Sequence, residues 1–196
     1  MSDHQADVDL DFADRNDILE KIRHIPARKL HMGKPEKHLS GVYVQPIPVD
    51  PAVGAATLHF KEADKRGYFK LDFLNVSVYQ SITNEAHYQK LLTTTPPWER
   101  LADPKFVEQI IHIANFSKQI ADCMPDTVPR MAMFLAAVRP SKKHLLGTEW
   151  KEMAKTIWEK VDDDEYAFKK SHAIAYATLV TLHMNLIAEE EATQHV

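Results

Sequence analysis

The sequence predicts an α+β chain in which a small β-sheet region, residues 1–82, is followed by a mostly α-helical region, residues 83–196. Three observations predict it. Short apolar and β-prone runs with period-two alternation are confined to the first part, as in Val8-Asp9-Leu10-Asp11-Phe12 and Tyr68-Phe69-Lys70-Leu71-Asp72-Phe73. From about Val76 onward apolar residues recur instead at three- and four-residue intervals. Prolines then punctuate the second part at Pro96-Pro97, Pro125 and Pro140, spacing several separate helices.

Taken in order, Asp7 to Phe12 reads as a strand, and Asp14 as the N-cap of a helix carrying Ile18, Leu19, Ile22 and Ile25 until Pro26 stops it. Residues 27–40 read as an irregular basic connector. Val42 to Val49 reads as a strand with its prolines at an edge or exit, and Ala55 to Phe60 and Tyr68 to Phe73 as two more. Helices are expected near 85–93, 104–121, 128–138, 149–160 and 172–190, with Pro129 at an early helical position where its missing N–H does no harm. The last carries Ala173, Ile174, Tyr176, Leu179, Val180, Leu182 and Leu186, so most of it is expected in a core.

Composition narrows the function. The chain has 196 residues, 44% hydrophobic and 27% charged, and a single cysteine, which excludes an internal disulfide and a zinc cage of thiolates. The amino terminus is polar and acidic rather than signal-like, and no apolar run approaches the roughly 20 residues that span a bilayer, so a cytoplasmic setting without membrane contact is expected. The formal net charge of -4 argues against avid free-standing nucleic-acid binding. Yet Lys21, Arg23, Arg28, Lys29, Lys34 and Lys37 crowd one stretch against Glu36 alone. Of these, Arg23, Arg28, Lys29, Lys34 and Lys37 are candidates to track a phosphate backbone, the alternative being a solvated surface.

The acids carry the sharper expectation. In a strand Asp7, Asp9 and Asp11 share one face, and three like charges repel unless something positive sits among them. A pair of divalent ions answers that need, with Asp72 on a neighbouring strand completing the cage, an arrangement suited to phosphoryl or nucleotidyl transfer. The alternative is an acidic, solvated terminus. The histidines show no metal-ligand spacing, and neither Ser40 nor Ser171 stands in a pattern that suggests a nucleophile with its base, so serine-based hydrolysis is not expected.

Five blocks of the chain, in order, resemble the alpha subunit of bacterial DNA polymerase III, the C family of DNA polymerases. Ala6-Asp7-Val8-Asp9-Leu10-Asp11-Phe12 is similar to its palm motif P-D-h-D-h-D-F. His38-Leu39-Ser40-Gly41-Val42-Tyr43-Val44 is similar to H-x-G-G-V-V-I, with Ser40 at a glycine position. Phe69-Lys70-Leu71-Asp72-Phe73-Leu74 resembles K-F-D-F-L-G, with Asn75 at the glycine. Ala136-Ala137-Val138-Arg139-Pro140 resembles A-L-x-R-P-G-P, with Ser141 and Lys142 replacing its end, and Tyr166 to Ala177 is close to the fingers motif Y-G-F-N-K-S-H-A-A-A-Y-A.

The resemblance implies a truncated palm of the polymerase-beta-like nucleotidyltransferase type, followed by a fingers-like helical region. It implies Asp7, Asp9 and Asp72 as catalytic ligands of two Mg²⁺ or Mn²⁺ ions, with Asp11 beside them, and Lys70, Arg139, Lys169 and Lys170 as triphosphate contacts. His38 and His172 fall in matched motifs as packed, structural histidines. The expected activity is transfer of dNMP from dNTP to a primer 3′-hydroxyl in DNA replication or repair, in a reduced form suited to a phage or mobile element. The family's amino-terminal phosphoesterase-like domain, thumb and clamp-binding regions are not found in the chain, so those parts are expected to be dispensable, supplied by other replication proteins, or lost along with activity. A noncatalytic, polymerase-derived binding or structural module is the alternative, and untemplated tailing a third.

Overall fold

The structure is a computed structural model that describes residues 8–159 and 168–194. The fold is mixed α+β with a small mixed sheet, and the chain falls into two compact units, residues 1–81 and 82–196.

The first unit begins with β1 (Val8–Phe12) and α1 (Arg15–Leu19), whose N-cap Asp14 accepts a hydrogen bond from the Asn16 N–H at 2.9 Å. β2 (Ile25–His31) and β3 (Lys34–Tyr43) follow, then the two-residue strands β4 (Val49–Asp50) and β5 (Ala55–Ala56), α2 (Phe60–Lys65) and β6 (Leu71–Asn75). The main sheet has the order β1-β6-β3-β2, with β1 parallel to β6 and the other pairings antiparallel. Alternation sends Phe73 and Val42 to one face, where they bury with Leu19 against Phe12, Ile18, Ile22 and Leu71. Arg15 fastens this layer: its backbone N–H donates to Asn75 Oδ1 at 2.7 Å and its guanidinium to the Phe73 carbonyl at 3.2 Å.

Several expectations for this unit are corrected. The first helix ends at Leu19 rather than reaching Pro26, because Ile25 and Pro26 are already extended and pair with Tyr43 and Val42. Residues 27–40 are a β-hairpin, not an irregular connector. Its turn is Met32-Gly33, both at positive φ (49° and 77°), the two-residue geometry whose twist matches the flanking strands. The strand expected over Val42 to Val49 stops at Tyr43, and only Ala55–Ala56 of the next one is extended before His59 caps α2.

The second unit contains α3 (Glu85–Thr93), α4 (Pro104–Val107), α5 (Ser117–Cys123), α6 (Val128–Ala137), α7 (Trp150–Thr156) and α8 (Lys170–Gln194). The single helix expected over 104–121 is two short ones, with His112 between them in the left-handed region at φ 66°. α6 and α8 pack together at the centre, enclosing Met131, Phe134, Leu135, Ala173, Ala177, Val180 and Met184. Buried Asn185 donates from Nδ2 to the carbonyls of Leu91 and Thr94, both at 2.8 Å, and so closes the carboxyl end of α3. Arg100 forks onto Glu191 at 2.6 and 3.0 Å, which holds the Arg100 pKa above its ordinary value through that hydrogen bond.

Candidate functional site

The sheet face opposite the Phe73 layer carries Asp9, Asp11 and Asp72, with Lys70 beside them. Parallel pairing sets Asp9 directly beside Asp72, and Gly41 on β3 lies beside Asp72 from the other side. Two carboxylates expected to share a site are therefore neighbours in register on adjacent strands, and Asp11 follows two positions along the Asp9 face. The Asp11 pKa is raised, first by partial desolvation of a carboxyl whose residue otherwise stays open to solvent, then by the Asp9 charge. Asp7, the remaining expected ligand, lies outside the described residues.

Asp72 is only 7% exposed, so its charge requires compensation. Ser40 Oγ donates to Oδ1 at 2.6 Å, and Lys70, two residues back on the same strand face, sets its ammonium on Oδ2. Lys70 is thus not an ordinary surface charge. Its stem passes so close over Gly41 that a Cβ there would lie 2.8 Å from Lys70 Cδ and 3.2 Å from Ala27 Cβ. Glycine at this position is what lets the lysine reach the aspartate. The Phe60 ring, from the start of α2, covers the group, 5.9 Å from Lys70 Nζ and edge-on to His38 at 5.3 Å.

His38 Nδ1 stands 3.7 Å from Asp72 Oδ1, but the two do not form an ion pair. That nitrogen accepts the backbone N–H groups of Gly41 at 2.9 Å and Ser40 at 3.3 Å, so it carries no proton. Desolvation first, then the Lys70 and Lys29 charges, push the His38 pKa below its ordinary value. The neutral ring shapes the bend that presents Ser40 to Asp72. Ser40 and Phe60 carry no sequence signal for the site; each is brought there by a cross-strand or helix-start position that periodicity along one segment does not encode.

Asp9 and Asp72 have the hard oxygen chemistry that magnesium or manganese takes. Among the described residues, however, no group of three His, Cys, Asp or Glu side chains is placed to hold an ion, and both Asp72 oxygens already have partners.

The basic candidates lie on or near the hairpin. Arg28 is tied down, donating to the Thr57 carbonyl at 2.8 Å and standing 3.6 Å from Asp50. Lys29 lies 3.9 Å from its cross-strand partner Glu36, while Arg23, Lys34 and Lys37 are exposed.

The second unit gathers its own cations. Lys169 and Lys170 are exposed at the amino end of the 25-residue α8, and the Arg139 guanidinium stacks 4.6 Å from the ring of Phe168, just ahead of them. Cations oppose the positive end of a helix dipole, so this end of α8 is electrically primed for negative charge. His112 packs on Tyr176 with ring centroids 4.4 Å apart, and burial, then the Arg139 charge, lower its pKa. His172 lies within the first turn of α8.

Comparison with protein-family models, with curated proteins and with solved structures finds no match for this chain.

Proposed function

We propose that the chain is a minimal, C-family-like nucleotidyltransferase that adds dNMP from dNTP to a primer 3′-hydroxyl. One observation carries the reading: Asp9 and Asp72 stand in register on adjacent parallel strands. It is supported by the polymerase-like sequence blocks in which both aspartates fall.

In this reading Asp9 and Asp72, with Asp7 by its place in the sequence, would hold divalent ions, which would supply activation of the 3′-hydroxyl and neutralisation of pyrophosphate charge. The hydroxyl oxygen bonds to the α-phosphorus as the bond to pyrophosphate breaks. Lys70 holds Asp72 oriented before substrate arrives. Gly41 preserves the passage through which Lys70 reaches the carboxylate.

Primer extension on a labelled primer–template, with Mg²⁺ or Mn²⁺ and with metal omitted, tests the activity. Wild type extends, omission of metal stops it, and Asp72→Asn is inactive; omitting the template separates polymerisation from tailing. Calorimetry with dNTP and Mn²⁺ checks the site itself, and equal binding by wild type and Asp72→Asn defeats it.

A second reading, a noncatalytic module of a replisome or other assembly, is favoured by the internal neutralisation of Asp72 through Lys70 and Ser40. It expects no extension under any of these conditions.

A further inference from the structure

We propose that the β2–β3 hairpin is a two-stranded arm that grips double-stranded DNA, a proposal resting on the nucleic-acid part of the reading above. Residues 27–40 form a ribbon closed by the Met32-Gly33 turn, and the ribbon carries Arg28, Lys29, Lys34 and Lys37 against Glu36 in a chain whose net charge is -4. Four of the chain's 24 lysines and arginines thus stand on one ribbon against a single acid.

Register decides how that charge is displayed. Arg28 opposes Lys37 and Leu30 opposes Pro35 on one face; Lys29 opposes Glu36 and His31 opposes Lys34 on the other. Cations thus appear on both faces of the ribbon. Arg28 is anchored to Asp50 and Thr57 at the hairpin's base, which fixes the arm rather than serving a ligand. Lys34 is exposed beside the turn, and Lys37 is exposed across from Arg28.

The tip itself is apolar and open: Met32 is 91% exposed and Leu30 54%. Exposed apolar side chains at the end of a cationic ribbon suit a groove, not bulk water. A two-stranded ribbon fits the major groove of B-DNA, where an apolar side chain can contact the thymine methyl group. The lysines would then meet the phosphates that flank the groove.

The test is fluorescence anisotropy of a labelled 20-base-pair DNA duplex with the intact chain in EDTA, from 50 to 200 mM salt. EDTA separates this binding from any metal-dependent step. Wild type should bind with a salt-dependent affinity, and Lys34→Ala and Lys37→Ala should each make the log–log salt slope shallower by about 0.9. Lys34→Glu with Lys37→Glu should weaken binding at least about 10-fold at the lower salt. Met32→Ser should weaken it while leaving the slope unchanged. Circular dichroism confirms that these exposed substitutions leave the fold intact.

Absent duplex binding by wild type, or affinity and slope unchanged in the lysine variants, overturns the proposal; the lysines then serve only to guard an edge strand against pairing. Binding to phosphatidylserine vesicles without binding to duplex overturns it in favour of a lipid surface. Hairpin-dependent duplex binding without primer extension sinks the enzymatic reading and leaves the arm standing. Extension with hairpin-independent duplex binding does the reverse.

Discussion

The two units fill their interiors with different materials. The helical unit buries large apolar side chains, among them Phe106, Phe134, Met131 and Met184, with Trp98, Trp150 and Trp158 packed partly against them. The sheet unit buries smaller clusters: Ala27, Tyr43, Ile47, Ala56 and Ala63 in one, Leu19, Val42 and Phe73 in another. Between those layers it also buries a carboxylate, Asp72, balanced by Lys70 and Ser40. The contrast teaches where chemistry fits: a charged group survives burial only where hydrogen bonds and counter-charge replace lost water, and the sheet unit is the one that supplies them.

Truncating the helical core should have the largest effect. Phe134→Ala, at a fully buried position, is expected to cost about 3–5 kcal/mol in urea unfolding followed by tryptophan fluorescence, since all three tryptophans lie in this unit. A cost under about 1 kcal/mol would mean that the α6–α8 interior is loosely packed.

The next test strikes the polar interior of the sheet unit. With side chains 15% and 10% exposed, Lys70 and Asp72 form a largely buried pair, and Lys70→Met should cost about 3 kcal/mol by stranding the carboxylate. Adding Asp72→Leu should recover most of that loss, because the uncompensated charge goes too. If the double variant is as unstable as the two single costs summed, charge compensation is not what holds this layer.

Asn185→Ala isolates the one place where, among the described residues, the helical unit relies on a buried side-chain amide. Loss of its two bonds to Leu91 and Thr94 should cost about 2 kcal/mol, and protection of the α3 end against hydrogen exchange should fall with it.

Titration gives the smallest and most general comparison. Burial lowers the pKa of His183, whose Nδ1 accepts the Ile111 N–H at 3.0 Å, and of His112 in the helical unit; His38 and His59 are lowered in the sheet unit. The folded protein therefore binds fewer protons than the unfolded chain below the ordinary value of 6.5, so stability falls as pH drops through that value. His183→Gln keeps an acceptor and should flatten this slope between pH 7.5 and 5 in tryptophan-monitored unfolding. Asp11 acts oppositely: its raised pKa favours the folded state below the ordinary 3.8 and loses that contribution as pH rises through its folded value. An unchanged slope in His183→Gln would show that this ring does not drive the pH response.

Helices with strong periodicity and local stop signals were legible from sequence: 85–93 and 128–138 were expected, and Glu85–Thr93 and Val128–Ala137 are found. Thr127 caps the latter by accepting from the Arg130 N–H, with Pro129 in its first turn. The hairpin was not legible. Its turn is Met-Gly rather than Asn-Gly or Asp-Gly, and its charged strands show no apolar alternation to separate them from a loop. Within the site, strand character around Asp9 and Asp72 could be read, whereas the contributions of Ser40, Gly41 and Phe60 could not. Each depends on what a distant strand or helix places beside it.

The sequence by itself determined the local matters: the acid-bearing strand, the Asp14 cap, the proline breaks and the change from sheet-bearing to helical chain. These follow from side-chain period and backbone propensity over a few neighbouring residues. Only the tertiary structure decided that Asp9 faces Asp72, that Lys70 turns inward instead of to solvent, and that the basic stretch folds back as a ribbon. Strand order and register join positions some sixty residues apart, and burial of one carboxylate selects its cation partner; neither is a property of any single segment.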